Sequence, residues 1–107
     1  MSRDYIRIIE GTDKLRSIAY QIAQIGEEFH GVYTHMFTAI EADLPTDWRG
    51  ADADAFREKS ADNKPKFESL RETIIDFSEW ITNTANEHER RMEESRNRAQ
   101  SDCSFDD

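Results

Sequence analysis

The tripeptide Trp48-Arg49-Gly50 lies close to the middle of this chain of 107 residues, with a long amphipathic pattern on each side. Pro45 ends the first pattern because proline lacks a backbone donor, and Gly50 permits a turn that few other residues tolerate. Ala51 opens the second pattern. The sequence therefore predicts an all-α fold in which the chain turns back on itself as an antiparallel helical hairpin.

Composition and length favour the same class of fold. The chain is 36% hydrophobic and 35% charged, with four glycines and two prolines, which suits long helices better than many short strands. Two helices bury little surface alone, so we expect a partner subunit and a four-helix bundle built from two hairpins. The formal net charge of -9 repels phosphate backbones, so we expect no nucleic-acid partner. The uncharged stretches 17–26 and 29–40 are too short and too polar to span a bilayer, so we expect no membrane insertion.

The hairpin domain is predicted to cover residues 1–94, followed by a flexible acidic tail at 95–107. A kink is predicted near 63–65, because Pro65 disfavours helical geometry at the residue before it. Cys103 lies among polar residues of the tail and is interpreted as an incidental free thiol. The predicted elements of the domain are helix 1 at about 12–43, a turn at 44–51 and helix 2 at about 52–94.

Apolar residues recur in alternating steps of three and four along both helices, which is the spacing of a coiled-coil seam. We interpret these rows as the surfaces through which the two helices of the hairpin pack together. On helix 1 the row consists of Leu15, Ile18, Ile22, Ile25, Phe29, Val32 and Met36. On helix 2 it consists of Phe67, Leu70, Ile74, Phe77 and Ile81, with Phe56 in phase upstream.

Helix 1 carries a second row beside the first, which makes its apolar arc wider than one partner helix needs. The small residues of this row would let another backbone approach closely, and the aromatic ones would supply contact area. We assign the second row to a dimer interface, with a second copy or a related small helical protein as the partner. The alternative is that this row spreads over the interface within the hairpin. The assigned residues are Ala19, Ala23, Gly26, Tyr33 and Phe37.

Two spacings are similar to metal-binding motifs but lack required ligands. Glu27-x-x-His30 is half of the pair used by di-iron bundles, and helix 2 offers no second half. His88 begins a segment like a zinc-protease helix, but Met92 stands where the second histidine is required. The sequence also offers no convincing set of nucleophile, base and orienting group. We therefore expect a protein that is not an enzyme and that binds no metal or cofactor.

With two helical arms, the central Trp48-Arg49-Gly50 and Phe56 eight residues after the tryptophan, the chain resembles the WXG family of hundred-residue proteins. These proteins are exported by the type VII secretion systems of Gram-positive bacteria and mycobacteria. Leu44 ahead of the tryptophan and the absence of a signal-peptide pattern agree with the family. The resemblance covers most of the chain and implies a hairpin that pairs into a four-helix bundle.

The resemblance marks Trp48, Gly50 and Phe56 as a combined turn and export motif. The indole would cap the open end of the hairpin, and the glycine would let the turn close beneath it. The alternative is that Trp48 only stabilises the turn.

Family members often carry a Tyr-x-x-x-Asp/Glu motif beyond the core of the second helix, and no tyrosine follows Tyr33 in this chain. His88, Met92 and Glu93 stand in the comparable segment and are considered as a degenerate C-terminal export signal. The alternative is an ordinary helix surface.

The function implied by the resemblance is that of a small secreted substrate of a type VII system, exported as a folded dimer and acting through protein-protein contacts. Such a protein would be cytoplasmic before export, would leave without a cleavable signal peptide, and would have the type VII secretion ATPase as a partner. The alternative is a cytoplasmic adaptor that pairs with the helical leader of a larger type VII effector. The missing tyrosine motif favours the adaptor.

Overall fold

The structure is a computed structural model that describes the backbone of residues 3–105 and the side chains of residues 10–99. Within the described backbone the chain is helical except for a short turn, and no strand occurs there. The all-α prediction is confirmed, whereas the four-helix bundle needs a second chain and stays a prediction. The elements are α1 (Arg3–Thr38), a π-helical turn (Ala39–Asp43), α2 (Leu44–Asp47) and α3 (Ala51–Phe105).

Both long helices extend beyond the predicted bounds. α1 begins at Arg3 rather than near residue 12, so Thr12 lies within the helix, where it is buried. α3 ends at Phe105 rather than near Glu94, so the backbone of 95–105, which the sequence assigned to a flexible tail, is helical. The side chain of Cys103 lies outside the described residues.

Pro65 does not interrupt α3, which is a single helix of 55 residues. A helix can bend at a proline without being interrupted, so the kink near 63–65 stays a prediction. In the turn before the proline, the side-chain amide of Asn63 donates a hydrogen bond to the carbonyl of Lys59 at 2.9 Å. This bond adds to the backbone bonds of the helix at the place where proline removes one.

The described chain divides into two compact units. One unit, here called the turn unit, contains Ile22–Asp76. The other, here called the terminal unit, combines the residues up to Gln21 with those from Phe77 onward. The sequence predicted one hairpin domain for these residues up to 94.

The turn unit is an antiparallel helical hairpin. Glu27 accepts a hydrogen bond from Arg71 at 2.7 Å, and Glu41 pairs with Lys64 at 3.8 Å. The later of the two glutamates, Glu41, thus contacts an earlier residue of α3 than Glu27 does. The two helical segments are therefore antiparallel.

Four aromatic rings form the centre of the turn unit. The ring of Phe67 on α3 lies 6.0 Å from Phe29, 6.0 Å from Tyr33 and 5.3 Å from Phe37 on α1, measured between ring centroids. Tyr33 is 4% exposed and Phe37 is 2% exposed. Edge-to-face and tilted contacts of this kind add to the energy of apolar burial, so this cluster is the main core of the unit.

The terminal unit pairs the first part of α1 with the later part of α3 through smaller side chains. Its buried residues are Thr12, Ala19, Ser78, Ile81 and Ala85. Arg16 on α1 donates a hydrogen bond to the side-chain oxygen of Asn86 at 3.0 Å and forms an ion pair with Glu89. Polar contacts therefore join the two helices of this unit.

The rows predicted to join the helices lie only partly in the intrachain contact. The row residues that are buried or half-buried are Ile22 and Phe29 of α1 and Phe67, Ile74 and Ile81 of α3. On α1, Leu15, Ile18, Ile25, Val32 and Met36 are exposed, and on α3 the same holds for Phe56, Leu70 and Phe77. Steric size explains why α1 presents the side with Gly26 to α3. A Cβ atom on Gly26 would lie 2.9 Å from Ile75 Cδ1 and 3.1 Å from Ile74 Cγ2. The side of α1 with the smaller residue is thus the one that lies against α3.

Phe67 and Phe77 offer a matched test of which residues face inward. Phe67→Ala should lower the free energy of unfolding by about 3 kcal/mol or more, because its ring lies among three other rings. Phe77→Ala removes the same atoms from a side chain that is 51% exposed and should cost about 1 kcal/mol or less in the monomeric chain. Urea titration followed by circular dichroism measures both, and equal losses would contradict this assignment.

Gly26 and Gly31 allow a second matched comparison on one helix. Gly26→Val should lower the free energy of unfolding by about 1–3 kcal/mol, because the new methyl groups would meet Ile74 and Ile75. Gly31→Val has nothing within 4 Å of its Cβ and should change stability by less than about 0.5 kcal/mol. Thermal or urea unfolding of both variants decides the point, and a neutral Gly26→Val would contradict the close approach.

Candidate functional site

The turn motif lies between α2 and α3, inside the turn unit. Pro45 stands in the first turn of α2, directly after the π-helical turn, in which the N–H of Leu44 donates to the carbonyl of Ala39. Trp48 then adopts an extended backbone, with φ -137° and ψ 118°, while its N–H still donates to the carbonyl of Leu44 at 2.9 Å. Gly50 has φ 115°, which side chains with a Cβ atom rarely adopt. The direction of the chain therefore changes over Trp48 to Gly50.

The same residues start α3. The carbonyl of Gly50 accepts a hydrogen bond from the N–H of Asp54 at 3.0 Å, which closes the first turn of that helix. The guanidinium of Arg49 donates to the carbonyl of Pro45 at 3.2 Å and so ties the turn back to α2. Hydrogen bonds thus anchor the tripeptide on both sides.

Trp48 and Phe56 form an aromatic pair beside the turn. Their ring centroids lie 5.6 Å apart with a tilt of 51° between the planes. Trp48 remains 39% exposed. The structure therefore brings together the three residues of the predicted motif, Trp48, Gly50 and Phe56, and leaves much of the indole accessible.

The residues assigned to a dimer interface lie instead on the side of α1 that contacts α3 within one chain. In the turn unit Gly26, Tyr33 and Phe37 are buried, and Ala23 is half-buried; Ala19 is buried in the terminal unit. Their surface is largely used inside the chain, so it is not free for a second subunit. The alternative given above, an interface within the hairpin, describes these residues better.

The exposed apolar side chains of the turn unit form two rows, one on α1 and one on α3. On α1, exposed Ile25 and Val32 each precede a buried residue, and on α3 exposed Leu70 precedes half-buried Arg71. One residue is a rotation of about 100° about each helix axis. On both helices the exposed residue stands one position before the buried or half-buried one. Because the helices are antiparallel, this shared order places both rows on the same side of the turn unit.

The terminal unit also exposes large apolar side chains. Phe77 and Trp80 stack with their ring centroids 5.9 Å apart and an interplanar angle of 12°. Trp80 is 61% exposed and is not among the site residues predicted from the sequence. Its spacing of three from Phe77 was the available signal, since such neighbours share a helix face. A stacked pair of exposed rings is typical of a contact surface.

The segment considered as a degenerate export signal lies on α3 of the terminal unit. His88 and Glu93 are exposed, whereas Met92 is half-buried. The three side chains therefore do not form one exposed patch. The structure places the segment in a regular helix and shows no special geometry among these residues.

A shallow groove of about 420 Å³ runs along this part of α3. Glu87, one of its lining residues, has a lowered pKa, chiefly because its carboxylate accepts a hydrogen bond from Arg90. A carboxylate whose pKa is lowered by folding stabilises the folded chain at pH values above its ordinary pKa. This contribution is lost as the pH falls through the lowered pKa. The groove is lined by Trp80, Asn83, Thr84, Glu87, His88 and Arg91.

The residues of the incomplete metal motifs have other surroundings. Glu27 pairs with Arg71, and the ring of His30 lies edge-on to Tyr33 at 5.2 Å. Among the described residues, no three His, Cys, Asp or Glu side chains come together as a metal-binding group.

Comparison with known protein families, with curated proteins and with solved structures gives no match to this chain. The resemblance to the WXG family therefore rests on the residues themselves. No described helix combines the length and the apolar character needed to cross a membrane.

Gly50→Ala tests the backbone geometry of the turn. The substitution should lower the free energy of unfolding by at least about 1 kcal/mol, because alanine is strained at φ 115°. Gly11→Ala is the control, since Gly11 lies within α1 with nothing within 4 Å of its Cβ and alanine favours the helix. Chemical denaturation should show opposite signs for the two variants, and a shared gain in stability would contradict the strained turn.

Proposed function

We propose that this protein is a small secreted substrate of a type VII secretion system, exported as a folded helical dimer and acting through protein-protein contacts. The observation that carries the proposal is the turn of the hairpin. There, Trp48 packs on Phe56 and Gly50 adopts a positive φ between two helical segments. A half-exposed indole at the turn is accessible to another protein.

The dimer in this proposal is supported by the apolar rows on one side of the turn unit. Continuous exposed apolar surface of more than a few hundred Å² marks an interaction site, and stable interfaces bury about 800 Å² per partner. The rows supply large side chains at helical spacing, which suits packing against further helices. The partner is a second copy or a related small helical protein. The row residues are Ile25, Val32, Met36, Phe56 and Leu70.

A second candidate function is that of a cytoplasmic adaptor for a larger type VII effector. One observation favours it: no tyrosine follows Tyr33, so the chain lacks the tyrosine of the family's C-terminal motif. An adaptor would use the same apolar rows to bind the helical leader of its effector. Recovery of the protein only in complex with a larger chain would favour the adaptor.

Export and stability together test the role of Trp48. In a host with an intact type VII system, release into the medium should require the secretion ATPase, with a cytoplasmic marker to measure leakage. Trp48→Ala should reduce release at least about tenfold while lowering the free energy of unfolding by only about 1 kcal/mol, since the indole is partly exposed. Tyr20→Ala removes an aromatic ring that is 67% exposed on α1 and should leave release unchanged.

The outcomes separate the two candidates. ATPase-dependent release of the wild type, lost in Trp48→Ala, supports the secreted substrate. Retention in the cell despite an active system favours the adaptor. If release and stability fall by the same factor in Trp48→Ala, the role of Trp48 is structural only.

A further inference from the structure

Among residues 10–21 and 77–99, whose side chains the structure describes, the contact surface between the helices of the terminal unit holds few large apolar groups. Of its buried residues, two are alanines and two are hydroxyl-bearing, and Ile81 is the one large aliphatic side chain buried among the described residues of this unit. Alanine and hydroxyl side chains bury little apolar area, so apolar burial contributes little to holding these helices together.

Four large apolar side chains of the same unit are exposed. Leu15 and Ile18 on α1 are both 40% exposed, and Phe77 and Trp80 on α3 are more exposed still. The packing of α1 against α3 in this unit therefore gains less hydrophobic free energy than it would if these side chains lay between the helices. The turn unit differs, because four aromatic rings pack together inside it.

Arg16 makes polar contacts that cross the terminal unit. Its Nε donates to the side-chain oxygen of Asn86 at 3.0 Å, and its guanidinium also pairs with Glu89 on α3. Asp13, one turn earlier on α1, accepts a hydrogen bond from Arg16 at 2.9 Å and holds the guanidinium in place. A planar guanidinium with several donors can bridge two acceptors at once, which an ammonium group cannot match in geometry.

We propose that Arg16 is a latch that holds the helices of the terminal unit together, and that these helices separate while the turn unit stays folded. A unit held by polar contacts and small side chains opens at low free energy, as local unfolding does elsewhere. The latch is a property of the isolated chain and does not depend on export.

Hydrogen exchange of the full-length chain, read by mass spectrometry, tests the latch. Arg16→Ala should raise exchange about fivefold in peptides from 10–21 and 78–99, the effect of losing a partly exposed ion pair and its hydrogen bonds. Peptides from 25–74 should keep their wild-type protection. Arg90→Ala is the matched control, because Arg90 bonds Glu87 and Glu94 on its own helix. It should leave exchange in 10–21 unchanged.

A second variant and an ionic-strength series keep the test independent of the folding of Arg16→Ala. Glu89→Gln should raise exchange in 10–21 as well, and raising the salt concentration from about 0.05 M to 0.5 M should do so in the wild type more than in Arg16→Ala. The latch is refuted if Arg16→Ala leaves the exchange of 10–21 and 78–99 unchanged. It is also refuted if exchange rises equally in the turn unit, since the chain then opens as a whole.

Discussion

The close packing of aromatic rings around Phe67 is the interaction on which the rest of the turn unit depends. Phe37 and Tyr33 reach Phe67 only if α1 presents one particular side to α3, and Gly26 on that side lets the helices approach. Because each helix is rigid, the orientation set at this cluster determines which residues of the unit lie inside and which face solvent.

The outward apolar rows are a consequence of that orientation. Once Tyr33 and Phe37 lie inside, the preceding residues Val32 and Met36 must lie about 100° away around the helix. The exposed rows therefore come from the same geometry as the core. They form the surface that the proposed dimer would use, and the turn with Trp48 lies in the same unit as the rows of Ile25, Val32, Met36, Phe56 and Leu70.

Different interactions hold the helices of the terminal unit together. Apart from Ile81, the buried residues described in this unit are small or polar, and Arg16 provides cross-helix contacts to Asn86 and Glu89. Exposed ion pairs are weak and sensitive to salt, which is why the proposed latch would open at low free energy.

The sequence alone determined the helical class and the position of the turn, because spacings of three and four, Pro45 and Gly50 act locally on the backbone. It also identified Trp48 and Phe56, which lie close enough in sequence to meet. It did not determine which of two neighbouring rows on α1 faces α3, since hydrophobicity favoured Ile25 and Val32. Only the tertiary structure decided this, because the fit of Gly26 against Ile74 and Ile75 and the mutual contacts of the aromatic rings depend on residues distant in sequence.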